Sequence, residues 1–249
     1  MGDEATRDRQ AAARMTEQAG QTPVAASPRG EIDAFLKAAK ASDPGRPRGR
    51  LIFALDATMS RQPTWDHATR LQAEMFEEAG RIGGLDVQLV YFRGFAECRA
   101  SKFVRDARAL GDLMTRIDCR GGHTQIERVL THALATTREQ KVAALVFVGD
   151  AMEERIDDLA ARAGELGLLG TKAFLFQEGR DPAASMAFAE IARLTGGAHL
   201  TFGSGAAAEL AALLRAVAAY AAGGMEALTA LGRRDGSAAA LLTRMKGRP

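Results

Sequence analysis

The feature that most constrains this chain is an alternation of segment types between Leu51 and Ala222. Short apolar runs, LIFALD (51–56), VQLVYF (87–92), KVAALVFVGD (141–150), AFLF (173–176) and AHLTF (198–202), are separated by stretches with helical spacing. The first helical stretch carries Ala68, Leu71, Met75, Ala79 and Ile82 and stops at Gly83-Gly84. Further helices are expected at about 106–117, 125–137 and 206–222. A weak segment around Phe95 to Cys98 reads as an edge strand. Strands alternating with helices imply crossover connections and a mainly parallel sheet, with helices over both faces. The expected fold is therefore α/β, doubly wound, with a mainly parallel sheet.

Outside this block the composition changes. Residues 1–30 have few large apolar side chains and are expected to be disordered. Residues 31–50 read as a short amphipathic helix (31–41: Ile32, Phe35, Leu36, Ala39) and a Pro/Gly/Arg linker. Residues 223–249, rich in Gly, Ala and Arg, read as a mobile basic tail, with Leu241, Leu242 and Met245 as material for a fragment of helix.

The formal net charge of +2 conceals a partition. Residues 51–222 carry 19 basic and 22 acidic side chains, so the basic balance belongs to the ends. A nucleic-acid-binding domain should carry its basic stripe on the folded surface. The Arg46, Arg48, Arg50 linker and the Arg233, Arg234, Arg244, Lys246, Arg248 tail keep tethering to nucleic acid as an alternative, though without aromatics for stacking bases. The first residues lack the apolar core of a secretory signal, and no stretch reads as membrane-spanning. Two cysteines, Cys98 and Cys119, make no disulfide scaffold. The expected setting is cytoplasmic, with reduced thiols.

In open α/β sheets, ligands bind beyond the carboxyl ends of the strands. Polar residues just after apolar runs are therefore the first suspects. The first run ends in Asp56-Ala57-Thr58-Met59-Ser60, KVAALVFVGD ends in Asp150, and Gly121-Gly122 precedes His123-Thr124. Residues 56, 58 and 60 in extended backbone point to one side. Asp56, Thr58, Ser60, Thr124 and Asp150 form an oxygen-only set suited to Mg²⁺, with Mn²⁺ the next choice. The same residue types also cap helices, Asp56 for the first and Thr124 for the third. Arg61, Trp65 and His123 are candidates for a partner-binding rim, with packing on the domain the alternative for Trp65. Cys98, Cys119 and His123 lack the spacing of a zinc set, and His67, His132 and His199 read as structural.

Asp56-x-Thr58-x-Ser60 after a first strand, Thr124 after a double glycine and Asp150 after a central strand resemble the metal-ion-dependent adhesion site of von Willebrand factor type A domains. The order of elements over 51–222 is similar to that family's Rossmann-like fold, with 95–98 matching its short antiparallel edge strand. The resemblance implies direct ligation by the hydroxyls of Thr58 and Ser60, and by that of Thr124 in the ligand-ready state. Asp56 and Asp150 would act mainly through waters. Thr58 stands where serine is usual, which keeps the hydroxyl and adds a methyl.

The function expected is a non-enzymatic, Mg²⁺-dependent adaptor whose ion captures an Asp or Glu of a partner protein. The resemblance also implies work in multi-protein assemblies, since many bacterial members act beside ring-shaped ATPases. The enzymatic alternative is an aspartate-based, Mg²⁺-dependent phosphotransferase or hydrolase. That chemistry wants a second carboxylic acid two residues after the nucleophile, where this chain has Thr58.

Overall fold

The computed structural model describes residues 48–59, 62–82, 84–203 and 207–246. The segments expected at 1–30 and 31–41 lie outside the described residues, as do Ser60 and Arg61.

The apolar runs become strands because both of their faces can be buried. In β1 (Gly49–Asp56), Leu51, Phe53 and Leu55 enter one hydrophobic layer, while Ile52 and Ala54 enter the other. β4 (Ala144–Gly149) is buried at every position. Continuous apolar sequence is what a parallel strand covered on both sides requires. With β2 (Leu85–Arg93), β3 (Glu97–Val104), β5 (Lys172–Glu178) and β6 (Ala198–Phe202) they form a six-stranded sheet in the order β3-β2-β1-β4-β5-β6. All neighbours are parallel except β2 and β3. The doubly wound expectation holds. The edge strand is longer than the expected 95–98 segment, because its half-exposed residues carry no apolar run for a sequence reading to find.

Helices α1 (Gln62–Gly80), α2 (Ala107–Met114) and α6 (Ala207–Gly232) cover one face, with α7 (Gly236–Lys246) packed beside them. Helices α3 (Ile126–Glu139), α4 (Ile156–Leu168) and α5 (Pro182–Thr195) cover the other. The chain moves outward from β1 to β3, then returns to place β4 on the other side of β1. The strand order therefore reverses between β1 and β4, and a crevice opens beyond their carboxyl ends.

Residues 223–246 are not the mobile tail expected from composition. The backbone does break at Gly224, whose φ of 67° is open to glycine and costly for other residues. The chain then re-enters helix, with Leu228, Leu231, Ala238, Leu241 and Leu242 buried in the α1-side core. The tail's sparse apolar residues suffice because α1 and α6 already present a surface for them. Ion pairs join the hairpin to the domain, Arg234 to the buried Glu78 and Arg215 to Asp235. By length and composition α6 is apolar enough to cross a membrane, but 56% of its most apolar window is buried inside the domain.

Candidate metal centre at the carboxyl edge of the sheet

Asp56 ends β1 at 3% exposure, and its Oδ1 accepts a hydrogen bond from the Thr58 amide at 2.7 Å. This turn fixes the loop in a bend of the kind Asp commonly makes with the residue two positions on. Thr58 itself is buried to 9% exposure. The β1–β4 register pairs Leu55 with Val148, so Gly149 stands opposite Asp56 and Asp150 follows one step beyond. Thus the first and last expected ligands rise from adjacent strands at the divide.

The third loop is brought over the same edge by backbone contacts. Arg120 donates its amide to the Ala57 carbonyl at 2.9 Å, and His123 donates to the Gly94 carbonyl at 3.2 Å. A methyl group on Gly122 would sit 2.0 Å from the Gly94 oxygen, so only glycine permits this approach. Thr124 then lies buried at 8% exposure, its hydroxyl accepting from the Glu153 amide at 3.1 Å. The Thr124 amide in turn donates to Glu153 Oε2 at 3.3 Å. A hydroxyl that accepts one such bond keeps a second lone pair and its proton, so this contact is compatible with ligation.

Thr124 is therefore not the cap of α3. The cap position is Gln125, without a side-chain cap bond, and the first amides are satisfied from another loop. Glu154 accepts from the amides of Ile126 at 2.5 Å and Glu127 at 2.9 Å. Glu153 and Glu154 thus tie the loop after β4 to the loop before α3. Sequence reasoning missed both, although two adjacent acids three residues past Asp150 were the available signal. It also missed Glu178, buried at the end of β5, whose carboxylate accepts the Thr64 hydroxyl from the first turn of α1.

Of the expected rim, His123 is exposed, paired through Nδ1 to Glu153 at 2.9 Å and edge-on to the Phe95 ring. Trp65 is not on the rim. It is buried at 3% exposure, stands edge-on to Tyr91, and donates its indole N–H to the Met114 carbonyl at 3.2 Å. A large aromatic with its one donor satisfied packs better against the domain than in water.

The remaining candidates disperse. Cys98 packs on the α3 side of the sheet and Cys119 on the opposite side, so they share no site. Burial pushes the Cys98 thiol up to about 11, away from thiolate chemistry. His132 and His199 are held by Gln88 and Gln177, and burial lowers the pKa of both. Among the described residues, no three His, Cys, Asp or Glu side chains are grouped to hold a metal. Two carboxylates with hydroxyls make the set that remains, and its hard oxygens fit a hydrated Mg²⁺ better than a soft metal. Several basic residues from the ends are engaged internally. Arg48 bonds Asp86 and two carbonyls, Arg50 lies 3.9 Å over the Phe103 ring, and Arg234 meets Glu78.

No protein-family model and no curated protein matches the chain. Solved structures do. A von Willebrand factor type A protein from Catenulispora acidiphila aligns over 70% of this chain and 42% of its own, at 17% identity and a TM-score of 0.56. This chain therefore spans less than half of that protein's length. The VWA domain of SpRpn10 aligns over 64% of this chain and 90% of its own, at 11% identity and a TM-score of 0.51. An aerotolerance-related membrane protein from Bacteroides fragilis aligns over 62% and 91%, at 17% identity and a TM-score of 0.50. At such identities the likeness is one of backbone architecture: the chain has the von Willebrand factor type A fold.

Proposed function

We propose that this domain is a non-enzymatic protein-binding module that captures an acidic side chain of a partner through a divalent cation, Mg²⁺ foremost and Mn²⁺ next. Asp56, Thr58, Ser60, Thr124 and Asp150 would hold the ion. When bound, the ion supplies an electrophilic open position for a carboxylate oxygen. The protein's own part is to bring Asp56, Thr58, Thr124 and Asp150 to the same edge of the sheet. The observation that carries the reading is the convergence of the loops at the β1–β4 divide, with Thr124 anchored to the loop after β4 by paired hydrogen bonds with Glu153. Cys98 and Cys119 lie on opposite faces of the sheet and so form no disulfide with each other, which accords with a reducing, cytoplasmic setting. Thr58 offers no general acid two residues after Asp56, and Glu178, at the end of β5, is engaged with Thr64, so no observation favours phosphoryl transfer.

The test is calorimetric titration of Mg²⁺ and Mn²⁺ into the full chain, wild type against Asp56→Ala and Thr124→Ala. Saturable binding in the wild type, lost in Asp56→Ala and weakened in Thr124→Ala, supports the reading. Absence of saturable binding in the wild type overturns it.

A further inference from the structure

Among the described residues large apolar side chains in water are few, and two of them stand at the edge that carries the candidate metal centre. Met59, on the loop after β1, is 61% exposed, and Phe95, on the turn after the neighbouring β2, is 77% exposed. Phe95 is displayed on a braced turn. Its ring lies 5.1 Å from the His123 ring, and the Gly94 carbonyl beneath it accepts from the His123 amide and from Gln125 Nε2. Arg128 bonds the Ala96 carbonyl at 2.7 Å, and Arg93 closes the hairpin on Glu97, holding that carboxyl below the usual range. An exposed aromatic held in place before binding loses little freedom on contact, which is the property of an interface anchor.

Arg120 adds charge to the same edge. Its amide is bonded to Ala57, between two of the expected metal ligands, and its side chain is exposed. Among the described residues that guanidinium makes no hydrogen bond or ion pair, whereas Arg93 and Arg128 beside it are both engaged.

We propose that this edge is a docking rim for an acidic peptide segment of a partner protein that carries two carboxylates and one large apolar side chain. One carboxylate completes the shell of the ion, a contact that rests on the metal-bridge reading above. The second pairs with Arg120, and the apolar side chain packs on Phe95 and Met59. Charge complementarity selects this occupant: a divalent cation and the exposed Arg120 guanidinium both call for anions, and the exposed Phe95 and Met59 on the same edge call for a side chain that leaves water.

The experiment is fluorescence anisotropy of three glycine-flanked synthetic peptides with cores Glu-Leu-Glu, Glu-Ser-Glu and Gln-Leu-Glu, on the full chain with Mg²⁺ or with EDTA. The Leu peptide is expected to bind about tenfold tighter than the Ser peptide. That gap should collapse in Phe95→Ser and narrow in Met59→Ser. Replacing one Glu by Gln should cost about threefold at low salt, and nothing in Arg120→Gln. Phe95, Met59 and Arg120 are exposed, so these variants are expected to keep the wild-type fold, which circular dichroism checks.

Equal affinity for the Leu and Ser peptides, a gap unchanged in Phe95→Ser, or no binding of any peptide at millimolar concentration overturns the rim. A wild type that sediments as a dimer and a Phe95→Ser variant that sediments as a monomer would overturn it too, by making a second copy the occupant. Discrimination that survives EDTA supports the rim and removes the metal bridge. Mg²⁺-dependent binding without discrimination does the reverse.

Discussion

Thr124 and Glu153 hold each other twice, the Glu153 amide donating to the Thr124 hydroxyl at 3.1 Å and the Thr124 amide to Glu153 Oε2 at 3.3 Å. Two loops far apart in sequence are thereby fastened at the edge where Asp56 and Asp150 emerge. On the metal-bridge reading, the carboxylate of Glu153 would not have to touch the ion to govern it. Groups that orient a metal's ligands commonly matter to affinity by an order of magnitude or more.

Glu153→Ala is accordingly expected to weaken Mg²⁺ binding about tenfold, measured by calorimetry. Because Glu153 is half-exposed, unfolding stability should change by less than about 1 kcal/mol. A stability loss with unchanged ion affinity would assign Glu153 to the fold alone.

Mg²⁺ at about a hundredfold excess over its Kd should stabilise the chain by about 2.7 kcal/mol. For a domain of this size that raises Tm by about 5–10 °C. EDTA should return Tm to its starting value, and Asp56→Asn should not respond to the ion, as followed by differential scanning fluorimetry.

Gly122→Ala and Gly121→Ala form a matched pair. A methyl at 122 meets the Gly94 oxygen at 2.0 Å, while one at 121 meets nothing within 4 Å. The first substitution should cost about 2–3 kcal/mol, since the packed backbone must shift, and the second should fall within about 0.5 kcal/mol of wild type. Urea unfolding separates them.

Leu241→Ala tests the C-terminal hairpin. Leu241 is fully buried in the α1-side core, so its truncation should cost about 2–5 kcal/mol. A mobile tail would return no change in the urea midpoint.

His132 and His199 set an acid limit on stability. Burial depresses both below the ordinary histidine value of 6.5, with Glu139 opposing the shift at His132 and Arg244 reinforcing it at His199. The unfolded chain binds protons first as pH falls through about 6.5, so stability is full above that value and declines as pH drops towards the lower folded-state pKa. Urea midpoints at successive pH values should show this loss, and His132→Asn should flatten part of it.

The strands and the layering were legible because burial on both faces demands continuous apolar runs such as LIFALD and KVAALVFVGD, a demand that acts locally. The place of Asp56, Thr58 and Asp150 at the sheet edge was legible for a related reason, since residues just past such strands must arrive there. Trp65 was not, because a lone aromatic at a helix start carries the same letters whether it faces a partner or Tyr91 and Met114. The hairpin at 225–246 was not either, as its few leucines gain a core only when α1 and α6 provide one.

The sequence by itself determined the doubly wound α/β order and the residue types at the carboxyl edge, since both follow from periodicity along the chain. Tertiary structure alone decided that Glu153 and Glu154 brace the loop of Thr124, that Gly122 must lie on Gly94, and that Phe95, Met59 and Arg120 share one edge. Those are relations between segments distant in sequence, set by strand register and close packing, and no local pattern encodes them.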